Sequence, residues 1–244
     1  MPPKPVSVLL LPGLGCDAEL FGHQAAALGA LARVHVSDAQ ARCATLPEAA
    51  ARLWREHPGR HVLVGASMGG MLALEMHRRS PQRVQALALL GSTARADTPE
   101  LIALRTQACK LFAAGRMDEV LRANVMFAFH PSGARQAGLV QRYLAMLGRA
   151  GAEQLIRQNH AVMARVDSRP HLASIICPVL VACGEGDLLT TPEHAREMAA
   201  LMPHARLEMV AGAGHMLTIE QPERVSALLA HWLAGLREAL PLSA

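Results

Sequence analysis

The stretch His61-Val62-Leu63-Val64-Gly65-Ala66-Ser67-Met68-Gly69-Gly70-Met71-Leu72-Ala73-Leu74-Glu75-Met76 joins a short apolar run to a helical pattern across a turn held between glycines. A serine in G-x-S-x-G is informative only when a strand precedes it and a helix follows, because the chain must then turn sharply and project the hydroxyl. Both conditions hold here. Crowding explains Gly65 and Gly69, since strand and helix come so close at such a turn that side chains two positions either side of the serine would collide. The helix N-terminus brings partial positive charge to the place where an oxyanion would form beside the serine. Ser67 is therefore the candidate nucleophile, and a tight turn that merely contains a serine is the competing reading.

Other apolar runs repeat the pattern. Val6 to Leu11 ends at Pro12-Gly13, Ala86 to Leu90 at Gly91, and Val179 to Cys183 at Gly184; Arg33 to Val36 and Arg206 to Val210 are weaker members. Near-continuous apolar strands alternating with helices predict a parallel sheet covered on both faces, with ligands at the carboxyl ends of the strands. From Gly91 to Cys177 the strand rhythm stops. That interval reads as helices over about Pro99 to Ala114, Met117 to Phe129, Ala134 to Leu147 and Ala152 to Ala164, separated by Gly115, Pro131-Ser132-Gly133 and Gly151. The expected organisation is a core of residues 1–97 and 171–244 with a helical lid, residues 98–170, inserted in it.

A serine hydroxyl needs a base to activate it and a carboxylate to orient that base. Of the 12 histidines, His215 stands in the glycine-rich loop Ala211-Gly212-Ala213-Gly214-His215, directly after the last expected strand. Most of the others, such as His57, His77 and His194, fall in helical or polar patterns and read as solvated. The carboxylate is expected in Gly184-Glu185-Gly186-Asp187, after the strand that ends at Cys183; Asp187 is preferred and Glu185 is its competitor. The order Ser67, Asp187, His215 is one that such strand-end sites use. In Leu11-Pro12-Gly13-Leu14-Gly15 the backbone N–H of Leu14, with that of Met68, is placed to receive an oxyanion. A dinucleotide fingerprint fails there, because the third glycine would have to stand at Ala18.

Composition narrows the classes further. The chain has 244 residues, 51% of them hydrophobic, which suffices for one sizeable core. Its five cysteines are scattered without a CxxC pair, which argues against a disulfide framework and against a zinc site. Aromatic content of 3% offers no basic-aromatic platform for nucleic acid. Met1-Pro2-Pro3-Lys4-Pro5 leads into too short an apolar run for a secretory leader or a membrane anchor, so a cytoplasmic location is expected. Net charge is +4, and the stretch Thr98 to Pro170 holds ten basic and five acidic residues.

Taken together, Gly65-Ala66-Ser67-Met68-Gly69-Gly70, Gly184-Glu185-Gly186-Asp187 with Pro192, and Gly212-Ala213-Gly214-His215 followed by Glu220-Gln221-Pro222 resemble the α/β-hydrolase superfamily. The likeness is greatest to small lidded members such as carboxylesterases, enol-lactonases and pimeloyl-ester hydrolases. It implies an α/β-hydrolase fold with a mostly parallel eight-stranded sheet, no cofactor, and a small-molecule ester as substrate. Lactone or carbon–carbon bond hydrolysis are variants on the same triad, and a non-catalytic ligand-binding member is a further alternative. Where many relatives carry His-Gly in the first oxyanion loop, this chain has Pro12-Gly13. Met126, Phe127, Phe129, Met146 and Met163 are candidates to line a substrate pocket, although at helical spacing they equally suit a core. Arg122, Arg135, Arg142 and Arg157 would suit a carboxylate-bearing substrate or an acidic carrier protein, or else a solvated face.

Overall fold

The computed structural model describes residues 6–239, with side chains through Leu236. Met1–Pro5, on which the leader reading partly rests, lies outside the described residues, as do 240–244. Six strands form one parallel sheet: β1 Ser7–Leu11, β2 Arg33–Val36, β3 His61–Ala66, β4 Val84–Leu90, β5 Val179–Gly184 and β6 Ala205–Val210, in the order β2-β1-β3-β4-β5-β6. The expected eight strands are thus corrected to six among the described residues. The number eight came from resemblance, whereas the chain has six apolar runs and each became a strand.

The helices are α1 Gly22–Gly29, α2 Ala39–Arg42, α3 Leu46–Glu56, α4 Met68–Arg79, α5 Pro99–Ala113, α6 Met117–Ala128, α7 Pro131–Ala134, α8 Ala137–Met163, α9 Arg169–Leu172, α10 Pro192–Leu201, α11 Leu217–Glu220 and α12 Pro222–Ala239. Helices α5 to α9 all lie between β4 and β5. Gly151, with φ +72°, breaks α8 into two helical arms. The sheet's two-residue period divides the core. Val8, Leu10, Val62, Val64, Ala88 and Leu180 face α1 and α12, where Leu28, Val225, Leu229 and Leu233 are buried. Leu9, Leu11, Leu63, Leu87, Leu89 and Val181 face α3, α4 and α10, against Leu53, Leu72, Met76 and Met198. Each such leucine contributes about 1.5–3 kcal/mol relative to exposure. β3 and β5 are buried along their whole length, whereas the outer strands β2 and β6 are only partly covered. Their mixed sequences, with Arg33, His35, Arg206 and Glu208, suit that exposure.

His77 corrects the solvated reading. Every residue of α4 from Met68 to His77 is buried, because this helix is packed between the sheet and α3. Burial holds the pKa of His77 and His61 below the ordinary imidazole value, and His57 and His194 are shifted the same way by partial burial. The folded state therefore prefers these rings neutral. Their contribution to stability is complete above the unfolded value of about 6.5 and is lost as pH falls toward the folded values. His215 and Glu220, whose pKa values are raised, act in the opposite sense over the same range, so the rings are read one by one: NMR titration is expected to show His77 and His61 taking up their protons below the ordinary value of about 6.5, and a ring that protonates at or above it would show that it is charged in the fold.

Candidate active site

In a wholly parallel sheet every strand delivers its carboxyl end to one edge, and the sheet order reverses between β1 and β3. Ser67 follows β3 at that reversal. Its backbone has φ +51° and ψ −117°, and it is the only non-glycine residue with positive φ among the described residues. Close packing keeps it there. A Cβ at Gly65 would overlap the backbone of Gly69, and one at Gly69 would overlap the Leu11 carbonyl. Ser67 N–H donates to Leu90 O at 2.9 Å, and the Ser92 hydroxyl donates to Ser67 O at 2.8 Å.

The turn after β5 carries Asp187 and the loop after β6 carries His215. Gly184 permits their approach, since a Cβ there would overlap the carbonyls of Ala213 and Gly214. Gly186 N–H donates to Ala213 O at 3.0 Å, which ties the two loops together. Glu185 points to solvent and Asp187 is buried, which separates the two sequence candidates. Asp187 Oδ1 accepts the N–H groups of Leu189 and Thr190, each at 2.9 Å, and Oδ2 accepts the Thr190 hydroxyl at 2.9 Å. Between Asp187 and Ser67 lies His215, with Nδ1 2.9 Å from Asp187 Oδ2 and Nε2 2.9 Å from Ser67 Oγ.

Electrostatics suit this chain of contacts. Burial opposes ionisation of Asp187, but the adjacent His215 and the N–H donors outweigh it and lower its pKa. Burial likewise opposes a charged His215, and Asp187 outweighs that, so the imidazole pKa is raised. The arrangement can remove a proton from a hydroxyl and stabilise the imidazolium that results.

The loop after β1 borders Ser67. A Cβ built at Gly13 would stand 3.4 Å from Ser67 Cβ, so Leu14 follows directly on the point of contact. Met68, the residue next to Ser67, opens α4 and is buried. Gln158 escaped sequence analysis. Wholly buried on α8, it accepts Gly15 N–H on Oε1 at 2.7 Å and donates through Nε2 to Gln40 O at 3.1 Å, bracing the loop that carries Leu14. A glutamine inside a long helix gives no local signal of such a role.

The pocket candidates do not form one surface. Phe129 and Met146 are core residues, Phe129 meeting Tyr143 edge to face at 5.1 Å. Met126 and Phe127 are exposed, and Met163 is half-buried. The arginines are also divided. Arg122 pairs with Asp118 at 2.7 Å, Arg142 with Glu19 at 3.2 Å, and Arg157 with Glu153 at 3.9 Å, while Arg135 is exposed. No helix among the described residues is long and apolar enough to cross a membrane.

Comparison with known proteins agrees with this fold. Residues 37–222, well over half of the chain, match the family model of the alpha/beta hydrolase fold. "Putative carbamate hydrolase RutD" of Serratia proteamaculans is 28% identical over 185 residues, which cover 72% of this chain and 66% of that protein, just under two thirds of its length. "Pimeloyl-[acyl-carrier protein] methyl ester esterase" of Neisseria meningitidis serogroup B is 28% identical over 178 residues, covering 71% of this chain and 69% of that protein. A thermophilic esterase from Thermogutta terrifontis superposes with a TM-score of 0.87 at 25% identity, over 96% of this chain and 91% of that one. The parallel sheet, the strained turn at Ser67 and the family match agree: the chain belongs to the alpha/beta hydrolase fold family.

Proposed function

We propose that the protein is a serine hydrolase that cleaves a carboxylic ester of a small molecule through an acyl-enzyme. The observation that carries this reading is the continuous hydrogen-bonded chain from Ser67 Oγ through His215 to Asp187. Ser67 Oγ attacks the acyl carbon as its proton passes to His215 Nε2, and Asp187 stabilises the imidazolium. The N–H groups of Leu14 and Met68 receive the oxyanion, each donor contributing about 3 kcal/mol to the transition state. His215 then protonates the departing alkoxide. Water, deprotonated by His215, attacks the acyl-enzyme, and Ser67 leaves with the proton that His215 returns.

The names of the two curated relatives, a carbamate hydrolase and a methyl ester esterase, share attack at a carbonyl carbon and support acyl chemistry. In this reading the helices between β4 and β5, residues 98–170, act as a lid over the strand ends. A small-molecule substrate is favoured over an acidic carrier protein, because three of the four arginines singled out in that segment already face carboxylates. A panel of short and long p-nitrophenyl acyl esters, lactones and carboxylate-bearing esters tests the proposal, alongside one-equivalent labelling by a fluorophosphonate. Turnover with labelling is expected. Neither turnover nor labelling would instead place the chain among the ligand-binding members of the fold.

A further inference from the structure

One half-buried acid near the triad has no part in that mechanism. Glu220 closes α11, just beyond the His215 loop. Its Oε1 accepts the N–H of Gly214, the residue before His215, at 2.8 Å, and its Oε2 accepts the N–H of His130, from the segment between β4 and β5, at 2.8 Å. The surroundings leave no slack. A Cβ on Gly214 would overlap the backbone of Phe129 and His130, and a Cβ on Gly133 would press on the Glu220 carboxylate. On the other side of His215, Met216 N–H donates to Ala128 O at 3.0 Å. Both neighbours of His215 are thus fastened to residues 128–130.

A carboxylate suits this place because it is an acceptor at both ends and meets two N–H donors at once. An amide, or a protonated acid, would turn a donor toward one of them. His215 and Asp187 from the strand-end loops act on its charge, while His130 meets it through the backbone N–H, its ring being hydrogen-bonded to Ser132 at 2.7 Å. Burial pushes the Glu220 carboxyl up to about 7, against the pull of the two N–H donors, and its charge in turn favours protonated His215.

We propose that Glu220 is a positioning residue for the reaction: its carboxylate fastens residues 128–130 to the backbone of Gly214 and so holds His215 in line with Ser67. This rests on the serine-hydrolase reading above. Glu220→Gln, followed on p-nitrophenyl acetate from about pH 5 to pH 9, is expected to lower kcat at least ~10-fold with KM within ~3-fold, since small misplacement of a base is felt in the chemical step. With the negative charge gone, the His215 pKa falls and the acid limb of kcat/KM moves to lower pH. Glu220→Asp keeps the charge but is too short to span both donors. It is expected to lose kcat while its acid limb stays at the wild-type position.

Wild-type kcat in Glu220→Gln overturns the proposal. So does equal loss in both variants with neither limb moved, which would mark a merely structural contact. If circular dichroism shows Glu220→Gln unfolded, Glu220→Asp decides alone: reduced kcat with an unmoved limb supports the proposal, and wild-type kcat ends it. Fluorophosphonate labelling separates the two claims. Labelling that survives Ser67→Ala removes the serine-hydrolase reading itself, whereas labelling that needs Ser67, with wild-type kinetics in the Glu220 variants, removes only this one.

Discussion

Ser67→Ala is expected to lower ester turnover ~10⁴-fold or more and to abolish fluorophosphonate labelling, with no loss of folding stability. Among the described residues no neighbouring group is placed to take over. The Thr190 hydroxyl donates to Asp187, and the Ser92 hydroxyl donates to the backbone of Ser67. Cys16, in the loop after β1, has its thiol pushed up to about 12 by burial, so the thiolate needed for attack is scarce at neutral pH. In the proposed mechanism, residual hydrolysis in the variant would come from the N–H groups of Leu14 and Met68 and from substrate binding. Measured kcat on the best ester of the panel, beside the melting temperature, decides the matter. Turnover at the wild-type level would sink the assignment of Ser67.

Asp187→Asn is the second large effect, with kcat expected to fall ~10⁴-fold although the fold is retained. The direction follows from the donors around the carboxylate. Two backbone N–H groups, from Leu189 and Thr190, converge on Oδ1 and would hold the asparagine carbonyl there. That leaves the amide NH2 at the Oδ2 position, facing His215 Nδ1. Nδ1 must then accept, so the neutral ring carries its proton on Nε2 and donates to Ser67 instead of receiving from it. Loss of the Asp187 charge also removes what raises the His215 pKa. The acid limb of kcat/KM is expected to move to lower pH, and the imidazole proton to shift to Nε2 by NMR. A fall in kcat of less than about tenfold would show that His215 is oriented by something else.

The parts of this molecule legible in its sequence are those whose cause is local. The turn at Ser67 could be read because Gly65 and Gly69 are forced by neighbours a few residues away and by an adjacent strand. Asp187 and His215 could be proposed because each follows an apolar run and a glycine: Gly184, which the approach of the two loops requires, and Gly214, which is crowded by Phe129 and His130. Contacts between distant elements left no such trace. Gln158 reaches Gly15 across 143 residues, and Glu220 reaches His130 across 90. Glutamine is not unusual inside a helix, and Glu220 stood out only as part of the resemblance, with nothing local to tell what it touches. Burial within the β4–β5 helices was equally hidden: Met126 and Phe127 face out while Phe129, just beyond, is in the core, and helical spacing alone does not say which side meets the sheet. His77 shows the same limit, since a polar residue in the last turn of a helix reads as exposed until the helix proves to be covered all round.

The left-handed backbone of Ser67 has an evolutionary consequence. Side chains at such a conformation carry strain of about 1–3 kcal/mol, and glycine would relieve most of it. A lineage selected only for persistence of its folded state would drift toward glycine at this position. On the proposed reading the hydroxyl is kept there at the expense of that strain, so at this one described non-glycine residue with positive φ a breeder of hardier variants should expect stability and activity to part company.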